Sequence, residues 1–242
     1  MKHELMRLGE LECYLMWPAG APRRGIVLCH GFGAPGTDLV PLGEELGAQL
    51  PELARETLFV FPEAPLAPRE FRPFGGRAWW PLDMERLQSA MQAGSIRDLR
   101  GDCPERLPTA REELGSVLAV LERTYDLPVE RLVIGGFSQG AMLATETVLR
   151  LPTSPAGLVI YSGTLLNEPE WRDLAPHRSG LQVLQSHGTE DSILPFTGAE
   201  WLRDLLTEAG LNVEFQSFRG GHTITAPALE ATGRLVSQVA VT

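Results

Sequence analysis

A short apolar run, Leu132-Val-Ile-Gly-Gly136, stops at a serine between glycines and passes directly into Ala141-Met-Leu-Ala-Thr-Glu-Thr-Val-Leu-Arg-Leu151. The run has the β-branched, apolar character of a buried strand, and its continuation reads as a helix from Ser138 to Leu151. Between them Gly136-Phe137-Ser138-Gln139-Gly140 fits the pattern G-x-S-x-G. Strand, tight turn and helix in that order are what a nucleophile elbow requires, because the serine must sit in a strained turn with Oγ exposed and a helix N-terminus beneath it. Gly136 and Gly140 remove side chains that would clash where strand and helix approach. The competing interpretation is an ordinary glycine-rich turn with a capping serine, and the flanking strand and helix weigh against it.

The rest of the chain alternates in the same way. Glu4 to Trp17 reads as one or two short antiparallel strands, and Arg24 to His30 as a strand that breaks at the glycine-rich loop HGFGAPGTD. A helix follows from Leu39 to Leu50, then a strand from Thr57 to Phe61 and an irregular stretch rich in proline and glycine from Pro62 to Pro81. Helical periodicity returns near Asp83 and is clear from Pro108 to Tyr125, where Leu114, Val117, Leu118 and Leu121 share a face. The remaining strands are Arg131 to Gly136, Gly157 to Ser162, Gln182 to His187 and Val213 to Phe218, with helices at Thr197 to Ala209 and Ala226 to Val239. Such alternation implies a mostly parallel central sheet with helices on both faces. No repeat, low-complexity tract or linker divides the chain, so residues 1–242 are expected to form a single domain.

Composition narrows the function classes. A net charge of −10 runs against nucleic acid or an anionic membrane as partner. The 43 % of hydrophobic residues supplies an ordinary globular core, yet no stretch approaches the ~18 uninterrupted apolar residues of a membrane span. Charged residues interrupt the N-terminal segment, so no signal peptide is expected. Three cysteines, with no C-x-x-C pair, make neither a disulfide framework nor a metal site. The cytoplasm is the expected compartment, and a homodimer is compatible with the sequence without being located by it.

Serine is a poor nucleophile without a positioned base. In this architecture the acid and the histidine follow the serine in that order. Of the histidines downstream, His222 lies in Arg219-Gly-Gly-His-Thr-Ile after the last strand, at the sheet's carboxyl edge where open α/β sheets build their sites. His187 ends its own strand and reads as a turn support. Glu190 and Asp191 both lie just past that strand; a short Asp in a tight turn is the easier partner for an imidazole N–H, but spacing alone does not separate them. The expected oxyanion donors are the backbone N–H of Gln139 and one from His30-Gly31-Phe32-Gly33. His30 itself reads as a brace for that loop.

At these residues the sequence resembles the phospholipase/carboxylesterase family of the α/β-hydrolase superfamily, which includes the acyl-protein thioesterases. LCHGFG (28–33), GGFSQGA (135–141), HGTEDSILP (187–195) and GGH (220–222) carry the resemblance. FPEAP (61–65) with GGRAWWPLD (75–83) resembles the family's loop bearing an aromatic residue beside the active site. The resemblance implies an α/β-hydrolase fold without a large lid domain, with Ser138 as nucleophile, Asp191 as orienting acid, His222 as base, and Phe32 and Gln139 as oxyanion donors. It thereby chooses Asp191 over Glu190. It implies hydrolysis of small or medium acyl esters or thioesters through an acyl-enzyme, with no metal or organic cofactor. Two departures stand out: Ala34 occupies a position where the thioesterases usually carry Asp, and residues 83–108 are longer and more charged than the family pattern. Phe32, Phe71, Phe74, Trp79 and Trp80 cluster in loops near the expected site, where each either walls the substrate or caps the core; Trp79 and Phe74 are the candidates for substrate contact. A peptidase or amidase on the same fold, and an inactive binding module, are the alternatives that the triad pattern leaves in view.

Overall fold

The computed structural model describes residues 1–82 and 98–240. Eight strands form one sheet: β1 (Lys2–Leu8), β2 (Leu11–Trp17), β3 (Arg24–Cys29), β4 (Thr57–Pro62), β5 (Leu132–Phe137), β6 (Gly157–Tyr161), β7 (Gln182–Gly188) and β8 (Asn212–Phe218). Their order across the sheet is β1-β2-β4-β3-β5-β6-β7-β8. The hairpin β1–β2 and the β2–β4 pair are antiparallel, and every other pair is parallel. Every residue of β3, β4 and β6 is buried, the continuous apolar pattern of strands covered on both faces, whereas the edge strand β8 is half exposed. The expectation of an α/β-hydrolase fold with a mostly parallel sheet therefore holds.

The helices are α1 (Val40–Gln49), α2 (Pro51–Ala54), α3 (Leu107–Tyr125), α4 (Gln139–Arg150), α5 (Glu168–Leu174), α6 (Phe196–Glu208) and α7 (Ala226–Ser237). One core layer packs α3, α4, α5 and α6 on one face of the sheet, with Leu114, Leu118, Leu143, Trp171 and Leu202 among its members. The other packs α1 and α7 on the opposite face through Leu46, Ala228 and Val236. In α3 the stripe read from the sequence, Leu114, Val117, Leu118 and Leu121, is buried throughout. Pro108 sits in its first turn, where a missing N–H costs nothing, and Asp126 closes it in the left-handed conformation.

The elements sit within a few residues of their sequence-based bounds. The short helices α2 and α5 have no counterpart among them, because four and seven residues are too few to display a helical period. The periodicity noted near Asp83 falls on residues 83–97, outside the described residues. Among the described residues, no helix is long and apolar enough to cross a membrane, and no lid domain covers the sheet's carboxyl edge.

That edge is where the topology matters. The parallel registers pair Cys29 with Gly136, Phe137 with Tyr161, Tyr161 with Ser186 and Gly188 with Phe218. The carboxyl ends of β3, β5, β6, β7 and β8 therefore reach one rim, with the strand order reversing between β3 and β5. Truncation of Leu114 to alanine should cost about 2–5 kcal/mol in a denaturation experiment, while Glu112→Ala on the solvent side of the same helix should stay within about 0.5 kcal/mol. Equal effects at both positions would refute the assigned helix face.

Candidate active site

Ser138 occupies the turn between β5 and α4 with φ 54° and ψ −117°, a region few non-glycine residues enter. The turn is held from both sides. Ser138 N–H donates to Tyr161 O (2.9 Å), and Ser138 O accepts from Ala141 and Met142 N–H (3.0 and 3.2 Å). A β-carbon on Gly140 would collide with the carbonyls of Cys29 and His30, so the helix start and the end of β3 meet backbone to backbone.

This contact brings the loop after β3 beside the helix N-terminus. His30 is buried with both ring nitrogens bound: Ala64 N–H donates to Nε2 (3.0 Å), which places the proton on Nδ1, facing Gly31 O at 2.8 Å. Burial pushes the His30 imidazole down to about 4, so the ring is neutral at physiological pH and acts as a brace. The loop is also tied to residues 77–79. Gly33 N–H donates to Arg77 O (2.8 Å), Arg77 N–H to Ala34 O (3.0 Å), and Trp79 Nε1–H to His30 O (2.9 Å). At Ala34 it is the backbone carbonyl that makes this tie. Neither Phe32 N–H nor Gln139 N–H donates to any described residue, and both residues line the same cavity.

On the other side of the rim, Asp191 follows β7 and His222 follows β8. Gly188 lets their loops touch, since a side chain there would strike the carbonyls of Gly220 and Gly221. Thr189 N–H and Glu190 N–H cross to Phe218 O and Gly220 O at 2.8 and 2.9 Å. Asp191 Oδ1 accepts from Ile193 and Leu194 N–H (2.8 and 2.9 Å), and Oδ2 accepts from His222 Nδ1 at 2.6 Å. The His187 ring, fully buried, donates from Nε2 to Leu194 O (2.8 Å) with Asp191 Oδ2 at 3.3 Å. Burial pushes the Asp191 carboxyl up. The hydrogen bonds from His187 and His222, the charge of His222 and the Leu194 N–H outweigh it and hold the group well below the usual carboxylate range. Glu190 points outward to an ion pair with Arg219 (2.9 Å). Of the two acids that spacing left open, it is Asp191 that meets the imidazole.

Ser138 and His222 line one cavity of about 580 Å³, together with Gly31, Phe32, Gln139 and Phe137. The His222 ring stacks at a tilt on Phe137, with centroids 4.6 Å apart. Among the described residues Ser138 Oγ makes no hydrogen bond to His222, although both line the cavity, and such bonds are often long or poorly aligned before substrate binds. The inner wall is apolar and buried, formed by Trp80, Leu99, Met142, Leu166 and Leu194, while Phe71 and Ile193 stand nearer the mouth.

Two expected substrate contacts lie elsewhere. Trp79 is fully buried, its indole N–H spent on His30 O, and it is not part of the cavity wall. Phe74 is 80 % exposed on a short 3₁₀ turn (Arg72–Phe74) and is likewise absent from the wall. The neighbours Trp80 and Phe71 take those places. Sequence reasoning also passed over Met142, although a residue four positions after Ser138 shares its helix face. Leu99 and Leu166 carry no such signal.

The sequence profile of the family described as Phospholipase/Carboxylesterase matches residues 15–236. The chain belongs to that family. It is 33 % identical over 213 residues to acyl-protein thioesterase 1 of Eremothecium gossypii, covering 84 % of this chain and 83 % of that one. A probable carboxylesterase of Oryza sativa subsp. japonica is 29 % identical over 219 residues, 88 % of this chain and 77 % of the relative. Among solved structures, esterase PE8 superposes with a TM-score of 0.77 at 30 % identity, covering 93 % of this chain and 97 % of its own. Membership makes the chain a hydrolase of the serine carboxylesterase and thioesterase class, as the sequence resemblance implied.

His30 also sets an acid sensitivity. Its folded value of about 4 lies below the ~6.5 of an unfolded histidine, so the unfolded chain binds the extra proton first. The contribution is complete above pH 6.5 and is lost as pH falls toward 4, amounting to about 3 kcal/mol across that window. Denaturant titrations at pH 7 and pH 4.5 should show this loss in the wild type and a flatter dependence in His30→Gln. Parallel pH dependence in the two proteins would remove His30 as its source.

Proposed function

We propose that Ser138, Asp191 and His222 act as a catalytic triad that hydrolyses esters and thioesters of small or medium acyl chains. The observation that carries this reading is the 2.6 Å contact from His222 Nδ1 to Asp191 Oδ2, made by an imidazole that shares its cavity with the strained Ser138. With its Nδ1 proton committed to the carboxylate, His222 keeps the Nε2 lone pair for a hydroxyl proton.

In the first step His222 takes the Ser138 proton as Oγ attacks the acyl carbon. The oxyanion forms where the N–H groups of Phe32 and Gln139 have no other acceptor, and the start of α4 adds its dipole. Collapse expels the alcohol or thiol, which takes the proton from the imidazolium and leaves an acyl-enzyme on Ser138. Water, deprotonated by the same histidine, then releases the acid. Asp191 holds the tautomer and stabilises the imidazolium without itself being protonated, which suits a carboxyl held this far below its ordinary range.

The acyl group lies against Leu99, Met142 and Leu166. This wall is apolar and closed by buried side chains, and a volume of about 580 Å³ falls in the ~300–1,000 Å³ span of small-molecule sites. Ser138→Ala should abolish labelling by a fluorophosphonate probe and lower turnover by on the order of 10⁴-fold or more, with Asp191→Asn falling by a similar factor. Labelling that persists in Ser138→Ala would reject the nucleophile. Met142→Trp, filling the inner wall, should move the optimum on a p-nitrophenyl ester ladder to shorter chains while sparing the acetate. An unchanged optimum would place the acyl group elsewhere.

A further inference from the structure

The two backbone donors of the oxyanion site sit on separate segments, and their spacing must be fixed to a fraction of an ångström to serve a developing charge. Phe32 lies after β3 and Gln139 begins α4. Backbone contact at Gly140 joins these segments on one side. On the other side the link runs through a side chain that the catalytic motif does not call upon.

Gln139 is 1 % exposed, and both ends of its amide are engaged. Oε1 accepts from Trp79 N–H at 2.9 Å, and Nε2 donates to Trp80 O at 2.9 Å. A chain continues from there. The Trp79 indole N–H donates to His30 O, before Phe32, and Arg77, two residues earlier, exchanges backbone hydrogen bonds with Gly33 and Ala34, just after it. Arg106 holds Trp79 O from below at 2.5 Å. The residue that offers one N–H to the oxyanion thus clamps, through its side chain, the segment that positions the other. The same clamp fixes the backbone of Trp80, whose ring walls the cavity.

We propose that the Gln139 side chain is a positioning residue: a strut through Trp79 and Trp80 that sets the distance between the Phe32 and Gln139 N–H groups. This rests on the reading of those groups as oxyanion donors in the preceding section. A group acting in this way supports the transition state, where charge has developed on the acyl oxygen, far more than the ground state.

The test uses the full chain with two single variants and their combination. Gln139→Met keeps the length of the side chain and removes both hydrogen bonds, and Trp79→Phe removes the indole donor at the far end of the strut. On p-nitrophenyl butyrate each should lower kcat by about 10- to 100-fold with KM within about threefold of wild type. Affinity for a trifluoromethyl ketone, which forms an oxyanion on the serine, should fall in parallel, while the matching ether, lacking a carbonyl, should bind as before. Because both variants cut one strut, the double variant should lose about as much as the worse single, not the product of the two. Gln139→Glu, isosteric and still able to accept from Trp79 N–H, should fall between wild type and Gln139→Met.

Wild-type kcat in either folded variant, a loss carried by KM alone, equal weakening of ketone and ether, or multiplicative losses in the double variant would each overturn the strut. Should Gln139→Met fail to fold, Trp79→Phe and Gln139→Glu decide by the same readouts. Fluorophosphonate labelling separates the two layers of the argument. Labelling that survives Ser138→Ala defeats the mechanism itself, whereas Ser138-dependent labelling with unchanged kcat in the strut variants defeats this proposal alone.

Discussion

The site depends on a contact between backbones. At Gly140 the first turn of α4 lies against the carbonyls of Cys29 and His30 at the end of β3, closer than any side chain would permit. Two things follow from that approach. Ser138, one residue past the strand, is forced to positive φ and lifted out of the sheet's rim. The start of the helix also comes to lie beside the loop that leaves β3, so that Gln139 and Phe32, whose N–H groups meet no acceptor among the described residues, line one cavity.

The Asp191–His222 half of the site is built by the same device in a different place. Gly188 allows the loop after β7 to touch the one after β8, and two backbone hydrogen bonds lock them together before any side chain is considered. Asp191 then has its first oxygen filled by main-chain N–H groups and its second presented to His222. Because hydrogen bonds compensate its burial, the carboxyl stays ionised, which is the condition for orienting an imidazole and bearing its positive charge. Parallel register along β5–β8 carries these loops to the same rim as Ser138, so the sheet supplies the long-range geometry and glycines the short-range one.

The features legible in the sequence were those whose cause is local. GFSQG lies between a strand and a helix, each recognisable over a dozen residues, and the alternation of elements was enough for the sheet and its helices. The candidacy of Asp191 and His222 follows from each lying just past a strand end, and the choice over Glu190 takes a family pattern, since both side chains leave the same turn and only the fold reveals which faces inward. The aromatics were another matter. Trp79 and Trp80 are adjacent and chemically alike, yet one spends its indole on His30 O inside the core and the other faces the cavity. Nothing in a loop sequence encodes that alternation without the hydrogen-bond partner. Leu99 and Leu166 were invisible for a related reason: a cavity wall assembled from separate segments is made of the same leucines as any core. The sequence motif speaks for the backbone of Gln139, whereas its amide partners lie some 60 residues away in the chain.

Three histidines stand near the rim, and their surroundings separate their roles more firmly than their positions do. His30 has both nitrogens occupied and is held neutral by burial, so it has no lone pair to offer and a strong reason not to gain a proton. His187 is sealed from solvent, with its Nε2 proton given to Leu194 O, and it braces the turn that holds Asp191. His222 alone joins a carboxylate on one nitrogen to a ring edge on the cavity. A base must bind a proton and release it within each turnover, and only a ring with one nitrogen anchored and the other open to the reacting groups can do so without breaking the structure around it. The two closed histidines frame the open one: His30 braces the loop that carries Phe32, and His187 steadies the turn that carries Asp191, the residues to which the proposed mechanism gives the oxyanion and the orienting carboxylate.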